Sequence, residues 1–182
     1  MSRSEPHNRW QRVVGQTLAL VLLVFGTTTS LATAQTRSRS RTTDAAVIKR
    51  FLLKQQSREN GFEDEGNERM VRTGDLNHDD VPDQVVLYTL EGQNGTNNYV
   101  QHLAVFVRTN GRLVPVTDEV VGGKYYRSAD LKSIKDNQIL FDTLDYADSD
   151  ARCCPSIKGS TKYVLRGHKI KELRHKQRPP EK

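Results

Sequence analysis

The chain has two cysteines, no catalytic signature and no apolar run long enough to span a membrane. Cys153 and Cys154 are neighbours with no third cysteine to pair with, which excludes a scaffold stapled by several disulfides. Structural zinc takes four N or S ligands, and His102, His168 and His175 lie at no metal-ligand spacing from the pair. Redox catalysis uses Cys-x-x-Cys, which is absent. No Gly-x-Ser-x-Gly elbow occurs either. The apolar stretch from Val13 to Phe25 falls short of the roughly 20 residues a spanning helix needs.

That stretch fits an export signal instead. Arg3, Arg9 and Arg12 precede or open it and Ala32-Thr33-Ala34 follows, so residues 1–34 are read as a secretory signal peptide cleaved after Ala34. No Cys lies near the cleavage point, and Arg-Trp-Gln-Arg is not a twin-arginine signal, so a lipid anchor is not expected. The expected address is periplasmic or secreted, with no membrane insertion after cleavage. The remaining length suits one domain with a single core.

The formal net charge of +6 hides a segregation. Residues 35–58 hold seven basic groups and one acidic, residues 59–150 hold eighteen acidic and eight basic, and residues 158–182 hold nine basic and two acidic. The basic segment from His168 to Arg178 has the charge to bind an anionic polymer by counterion release. A last strand followed by a solvated tail accounts for it as well, and an exported protein seldom meets nucleic acid, so no nucleic-acid partner is expected.

Residues 35–42 alternate Ser, Thr and Arg with nothing to bury and read as a disordered linker. Thr43 or Asp44 then suits an N-cap, opening a helix that turns Ala46, Val47, Phe51, Leu52 and Leu53 inward. Strand patterns follow at Gln84 to Leu90, Tyr99 to Arg108, Arg112 to Thr117, Ala129 to Ile134, Gln138 to Tyr146, Thr161 to Leu165 and Lys169 to Leu173. Thr109-Asn-Gly111, Lys135-Asp-Asn137 and Arg166-Gly-His168 fill gaps with residues that accept positive φ, as tight hairpins require. These spacings predict an α+β fold over residues 43–174, one N-terminal helix packed on an antiparallel β-meander, with residues 175–182 as a basic tail. Asn94-Gly95-Thr96 matches a glycosylation triplet, but a polar loop between strands explains it equally.

Gly74 to Asp83 reads GDLNHDDVPD, which sets Asp75, Asn77, Asp79, Val81 and Asp83 at positions 1, 3, 5, 7 and 9 of a tight loop. That spacing gathers side-chain oxygens at 1, 3, 5 and 9 and a backbone carbonyl at 7, the donors a calcium ion takes. A cation would also relieve the repulsion of crowded carboxylates. Position 6 is Asp80 where the sharp turn favours Gly, and position 12 is Val86 where an EF-hand has a bidentate Glu, so this is not an EF-hand. His78 sits at a variable position and is expected to face water. The other reading of these residues is a solvated turn in which Asx side chains cap backbone N–H groups ahead of a strand.

The stretch from Gly74 to Leu87 resembles the acidic loops of FG-GAP and VCBS-type repeats in exported β proteins, in one copy where propellers repeat it. The resemblance implies a calcium role for Asp75, Asn77, Asp79 and Asp83 and leaves a propeller unsupported. Asp150-Ala-Arg-Cys-Cys-Pro-Ser156 is similar to a segment of small uncharacterised exported bacterial proteins, which implies no activity.

Three states suit Cys153 and Cys154 in an oxidising compartment: a vicinal disulfide, a bridge between two molecules, or two buried thiols. A vicinal bridge closes a very small ring and makes a rigid knuckle before Pro155. Asp142, Asp145, Asp148 and Asp150 form a second acidic run that reaches the calcium shell only if its strand lies beside the one from Gln84.

A hydrolase needs a nucleophile, a base within reach and a group to orient it. Ser128, Ser156 and His102 lie in no motif of that kind, while scattered carboxylates leave glycoside chemistry open. The expected function is an exported non-enzymatic binding or envelope-associated module, with calcium as a structural ion and a protein or glycan partner. Gly122 to Arg127, GGKYYR, is the candidate contact loop, although two tyrosines entering a strand also suit packing. The alternatives are an inhibitor of a cell-wall enzyme and a hydrolase acting on an envelope polymer.

Overall fold

The computed structural model describes residues 28–63 and 69–177, and within these the side chains of residues 28–43, 174 and 177 are not described. Most of the signal segment, and the tail beyond residue 177, lie outside the described residues. The chain divides into two units, residues 1–45 and 46–182. In the first unit the described backbone is helical, the opening part of helix α1 (Thr28–Glu59). Residues 35–42, read as a linker, belong to that helix, and it passes through Thr43 and Asp44 without starting there. No Gly or Pro falls between Thr28 and Glu59 to stop it.

The described residues of the second unit hold the rest of α1 and nine antiparallel strands: β1 (Phe62–Glu63), β2 (Met70–Gly74), β3 (Asp83–Glu91), β4 (Tyr99–Thr109), β5 (Arg112–Gly123), β6 (Arg127–Lys135), β7 (Gln138–Asp145), β8 (Ile157–Arg166) and β9 (Lys169–Gln177). From β3 onward each strand pairs with the next, and both β1 and β2 pair with β3. The expected α+β class is therefore corrected to an essentially all-β antiparallel sheet with, among the described residues, a single α-helix. One helix covering one patch of a nine-stranded sheet does not make a layer of its own.

Three hairpins close with two-residue turns. Asn110 and Gly111 have φ of 51° and 74°, Asp136 and Asn137 have 49° and 56°, and Gly167 has 60°. Such positive angles match the twist of antiparallel strands, and Asn, Asp and Gly adopt them at least cost. Between β5 and β6 the ladder nearly fails, because Gly123 and Arg127 are their one Cα-partnered pair. Gly123 has φ 143°, and a Cβ there would meet the Tyr99 carbonyl oxygen at 2.8 Å, so only glycine fits. The sheet bends back at this point, bringing β2 against β6 and β9 against β5.

The main core lies between the two leaves thus formed. It joins Val85, Leu87, Leu103, Val105 and Val121 from one leaf to Leu131, Ile139, Phe141 and Tyr163 from the other. The opposite face of β3 and β4 presents Val86, Tyr88, Leu90, Ala104 and Phe106 to Ile48 and Leu52 of α1. Phe51 sets its ring edge-on to Phe106, with centroids 5.2 Å apart and planes at 77°. Leu52 is fully buried, which stabilises by about 1.5–3 kcal/mol. Leu52 is inward and Val47 and Phe51 pack against this core as anticipated, Ile48 and Gln55 are buried beside them, and Leu53, 52% exposed, and Ala46, also exposed, are not part of the stripe. Among the described residues no helix is long and apolar enough to cross a membrane.

Candidate functional site

The acidic loop joins β2 to β3, whose ladder ends at the pair Gly74 and Asp83. Leu76 is 2% exposed and plugs the loop into the main core. Asn137, in the β6–β7 turn, donates its side-chain N–H to the Asp75 carbonyl at 2.9 Å and ties the loop to the second leaf. His78 and Asp80 have φ of 66° and 60°. Asp80 thus adopts the left-handed turn for which glycine is favoured, at a steric cost that Asp bears better than most residues.

Inside the loop the carboxylates accept from backbone. Asp75 Oδ1 takes the N–H groups of Asn77 at 3.1 Å and His78 at 2.8 Å, and Oδ2 takes that of Asp80 at 3.1 Å. Asp79 Oδ1 accepts from Val81 N at 2.8 Å, and its Oδ2 from Asn77 Nδ2 at 2.9 Å. Asp83 is fully buried, with Oδ2 accepting from Leu76 N at 3.0 Å and Oδ1 from Arg108 N at 2.8 Å. Desolvation raises the Asp75 pKa, but the N–H groups of Asp80, His78, Asn77 and Asp79 together hold it below the usual carboxylate range. At Asp83 desolvation dominates and pushes the pKa up, with Asp79 and Asp75 adding repulsion, against the pull of the Arg108 and Leu76 amides.

Asp75, Asn77 and Asp79 therefore come together, while Asp83 is a buried acceptor joining the loop to β4. Val81 donates its N–H to Asp79, and His78 is exposed as expected. Among the described residues no group of three or more His, Cys, Asp or Glu side chains is gathered as a metal cage. The second acidic run is kept apart. Asn137 touches the loop at one end of β7, and Asp145 ends the strand, about 3.4 Å per residue away along it. Asp142 pairs with Lys132 at 3.3 Å, Asp145 with His175 Nε2 at 2.7 Å, and Asp150 accepts from the Ala147 and Ser156 amides.

Cys153 and Cys154 form a vicinal disulfide, one of the three states considered. Asp150 staples their loop, accepting also from Ser156 Oγ at 2.8 Å, and Tyr146 donates its hydroxyl to the Arg152 carbonyl at 3.0 Å. The Ala147 amide and the Ser156 hydroxyl hold the Asp150 carboxyl below its ordinary range. Ser156 is thereby occupied as a donor to Asp150. His102 is buried, stacked on Tyr88 and within 3.2 Å of Asp118, which also accepts from the Tyr88 hydroxyl.

The contact loop divides in two. Tyr125 and Tyr126 are 56% and 48% exposed at the bend between β5 and β6. Lys124 and Arg152 flank the Tyr125 ring at 5.5 and 5.9 Å from its centroid, and the Arg127 guanidinium lies 4.7 Å from that of Tyr126. Tyr125 has φ 64°, a strained angle for a bulky residue. Arg127, by contrast, is 3% exposed. Its Nε donates to the Val121 carbonyl at 2.9 Å, Nη1 donates to Glu172 at 2.9 Å, and Nη2 donates to the Tyr163 hydroxyl. Burial pushes the Tyr163 hydroxyl up, and the bonds from Arg127 and Thr161 hold Glu172 low against its own desolvation. His175 Nδ1 faces Arg127 Nη1 at 3.3 Å, so the Asp145–His175 pair points to a cation and not to a hydroxyl nucleophile.

This Arg127 network had no sequence signal, because its partners stand on β8 and β9, far along the chain. The visible clue was an Arg at the end of a Gly-Gly-Lys-Tyr-Tyr bend, which reads as surface. Comparison of the chain with protein-family models, with curated proteins and with solved structures gives no match.

Proposed function

We propose that the protein is an exported, non-enzymatic binding module that engages a protein or glycan of the cell envelope through the Tyr125–Tyr126 knuckle. The supporting observation is a half-exposed tyrosine pair set against cations at the bend of the sheet, with Tyr125 in a strained left-handed conformation. A left-handed aromatic costs folding free energy and persists where the surroundings over-determine it, a pattern that clusters at recognition sites. Tyrosines present a rigid apolar face to a sugar ring or a partner side chain, at little entropy cost. The disulfide loop, which carries Arg152, supplies a stiff flank.

In the same reading calcium is a structural ion of the acidic loop, taken by Asp75, Asn77, Asp79, the Val81 carbonyl and Asp83. The raised Asp83 pKa, to which Asp79 and Asp75 contribute, supports it: a cation there would turn mutual repulsion into attraction. The ion would stabilise by binding folded chain better than unfolded chain.

The test is capture of envelope glycan and envelope protein by wild type and by Tyr125→Ala/Tyr126→Ala. Both rings are about half exposed, and Tyr126 also covers the Arg127 guanidinium at 4.7 Å, so Tyr125→Ala alone should melt close to wild type and weaken capture, while the double variant should lose capture and melt lower. Equal capture by wild type and the double variant would remove the knuckle from the function. A captured enzyme that is silenced in a stoichiometric complex would favour the inhibitor reading, since the same rigid knuckle suits insertion into a cleft.

A further inference from the structure

A groove of about 520 Å³ runs between α1 and β5, away from both the acidic loop and the knuckle. Its floor is apolar, made by Phe51, Pro115 and Val116. Its rim carries Arg50 and Lys54, exposed, one helical turn apart, and in no ion pair among the described residues. Gln55 also lines it, is 5% exposed, and keeps Oε1 without a hydrogen-bond partner among the described residues. A buried acceptor is seldom left unmade unless a ligand or water completes it. Asp118, at the groove's end, is held by the Tyr88 hydroxyl and lies within 3.2 Å of His102, while Arg50 and Lys54 set the charge of the rim.

We propose that this groove binds a small single-chain amphiphile with an anionic head and a hydroxyl or amide N–H close to that head. Arg50 and Lys54 attract the head, Phe51, Pro115 and Val116 cover the chain, and Gln55 Oε1 accepts from the hydroxyl or N–H. The volume falls within the range of small-molecule pockets, roughly 300–1,000 Å³. An acidic peptide would meet the same charges but would need to extend the sheet at β5. Pro115 would offer such a strand no N–H.

The experiment is calorimetric titration of the whole protein with 3-hydroxydodecanoate below its micelle concentration, beside dodecanoate, methyl 3-hydroxydodecanoate and an acidic decapeptide. We expect one saturable site for the hydroxy acid, with dodecanoate and the methyl ester each weaker by about tenfold or more. Arg50→Gln/Lys54→Gln, both on exposed positions, should weaken the two acids by about tenfold or more and leave the melting temperature unchanged. Gln55→Leu removes an orphan acceptor, so the fold should be at least as stable, while the preference for the hydroxy acid over dodecanoate disappears. Absence of saturable binding, binding indifferent to the double substitution, a preference that survives Gln55→Leu, or tighter binding of the peptide would each overturn the assignment. If Gln55→Leu does not fold, the wild-type series and the double substitution decide it. Tyr125→Ala leaves this binding unaltered, which separates it from the knuckle.

Discussion

Substituting Asp83 by Ala tests how the acidic loop is anchored. Asp83 is fully buried and accepts the backbone N–H of Leu76 with one oxygen and that of Arg108 with the other. These bonds join the loop, β3 and β4 at one point. Truncation strips both amides of their acceptor without giving water an entry, and each buried orphan donor costs about 1–3 kcal/mol. Removing a desolvated carboxylate that Asp79 and Asp75 repel works the other way. The net loss should therefore fall in the lower half of the 2–6 kcal/mol range those two donors define, about 2–4 kcal/mol, against a typical domain stability of about 5–15 kcal/mol.

Urea unfolding at neutral pH, followed by circular dichroism, measures this directly. Asp83→Asn keeps one acceptor and sheds the charge, so it should lie between Ala and wild type. The pH dependence has a definite sign. A carboxyl whose folded pKa is raised binds its proton more tightly when folded, so its contribution is full below its unfolded pKa and fades as pH rises through the folded one. Between those two values both substitutions should flatten that decline. A loss under about 1 kcal/mol for Asp83→Ala would refute the reasoning, because it would mean the two amides find other partners.

Three further outcomes are expected. Calcium at millimolar concentration should raise the melting temperature of wild type and not of Asp75→Ala; because the folded Asp75 pKa is lowered, its own contribution is present above its unfolded pKa and lost as pH falls through the folded one, so the variant's acid limb should be shallower. Arg127→Met should cost about 2–4 kcal/mol in urea unfolding, less than the roughly 3–5 kcal/mol of a fully buried broken pair because Glu172 is part-exposed, and adding Glu172→Gln should restore some of it. Reducing the Cys153–Cys154 bond should change unfolding free energy by only about 1 kcal/mol, since the closed loop is minimal, while weakening partner capture at the adjoining knuckle.

The sheet was legible where neighbours in sequence are neighbours in space. Asn110-Gly111 and Asp136-Asn137 announce hairpins because few residues accept two successive positive φ angles, and β7, beside the second, alternates in burial. Legibility fails where a contact is long-range. The strand pattern from Arg112 stops at Thr117, where Asp118 and Glu119 follow, yet β5 runs on to Gly123, and Asp118 is satisfied by Tyr88 and His102 across the ladder. Arg127 meets Tyr163, Glu172 and His175 at separations of 36, 45 and 48 residues, beyond any periodic pattern. The fold class was misjudged for a related reason. The sheet closes on itself at Gly123, so most of its core needs no helix to cover it.

The two readings of the acidic loop differ less in structure than they do on paper. A carboxylate oxygen has two lone-pair directions, and an N–H takes one. Asp75 Oδ1 takes the Asn77 and His78 amides and Oδ2 only that of Asp80, so the turn fixes the side chain before any ion arrives and leaves Oδ2 the free direction. Asp79 is fixed likewise by Val81. A loop already ordered by its own backbone gives up little further freedom when a cation enters, and preorganisation of that kind raises affinity without adding a donor. The Asx bonds that make the loop stable without an ion are thus the same bonds that would let it hold one, and the Asp75→Ala melting series separates them. If the bonds alone matter, the variant loses stability equally with and without calcium; if the ion matters, the loss grows as calcium is added.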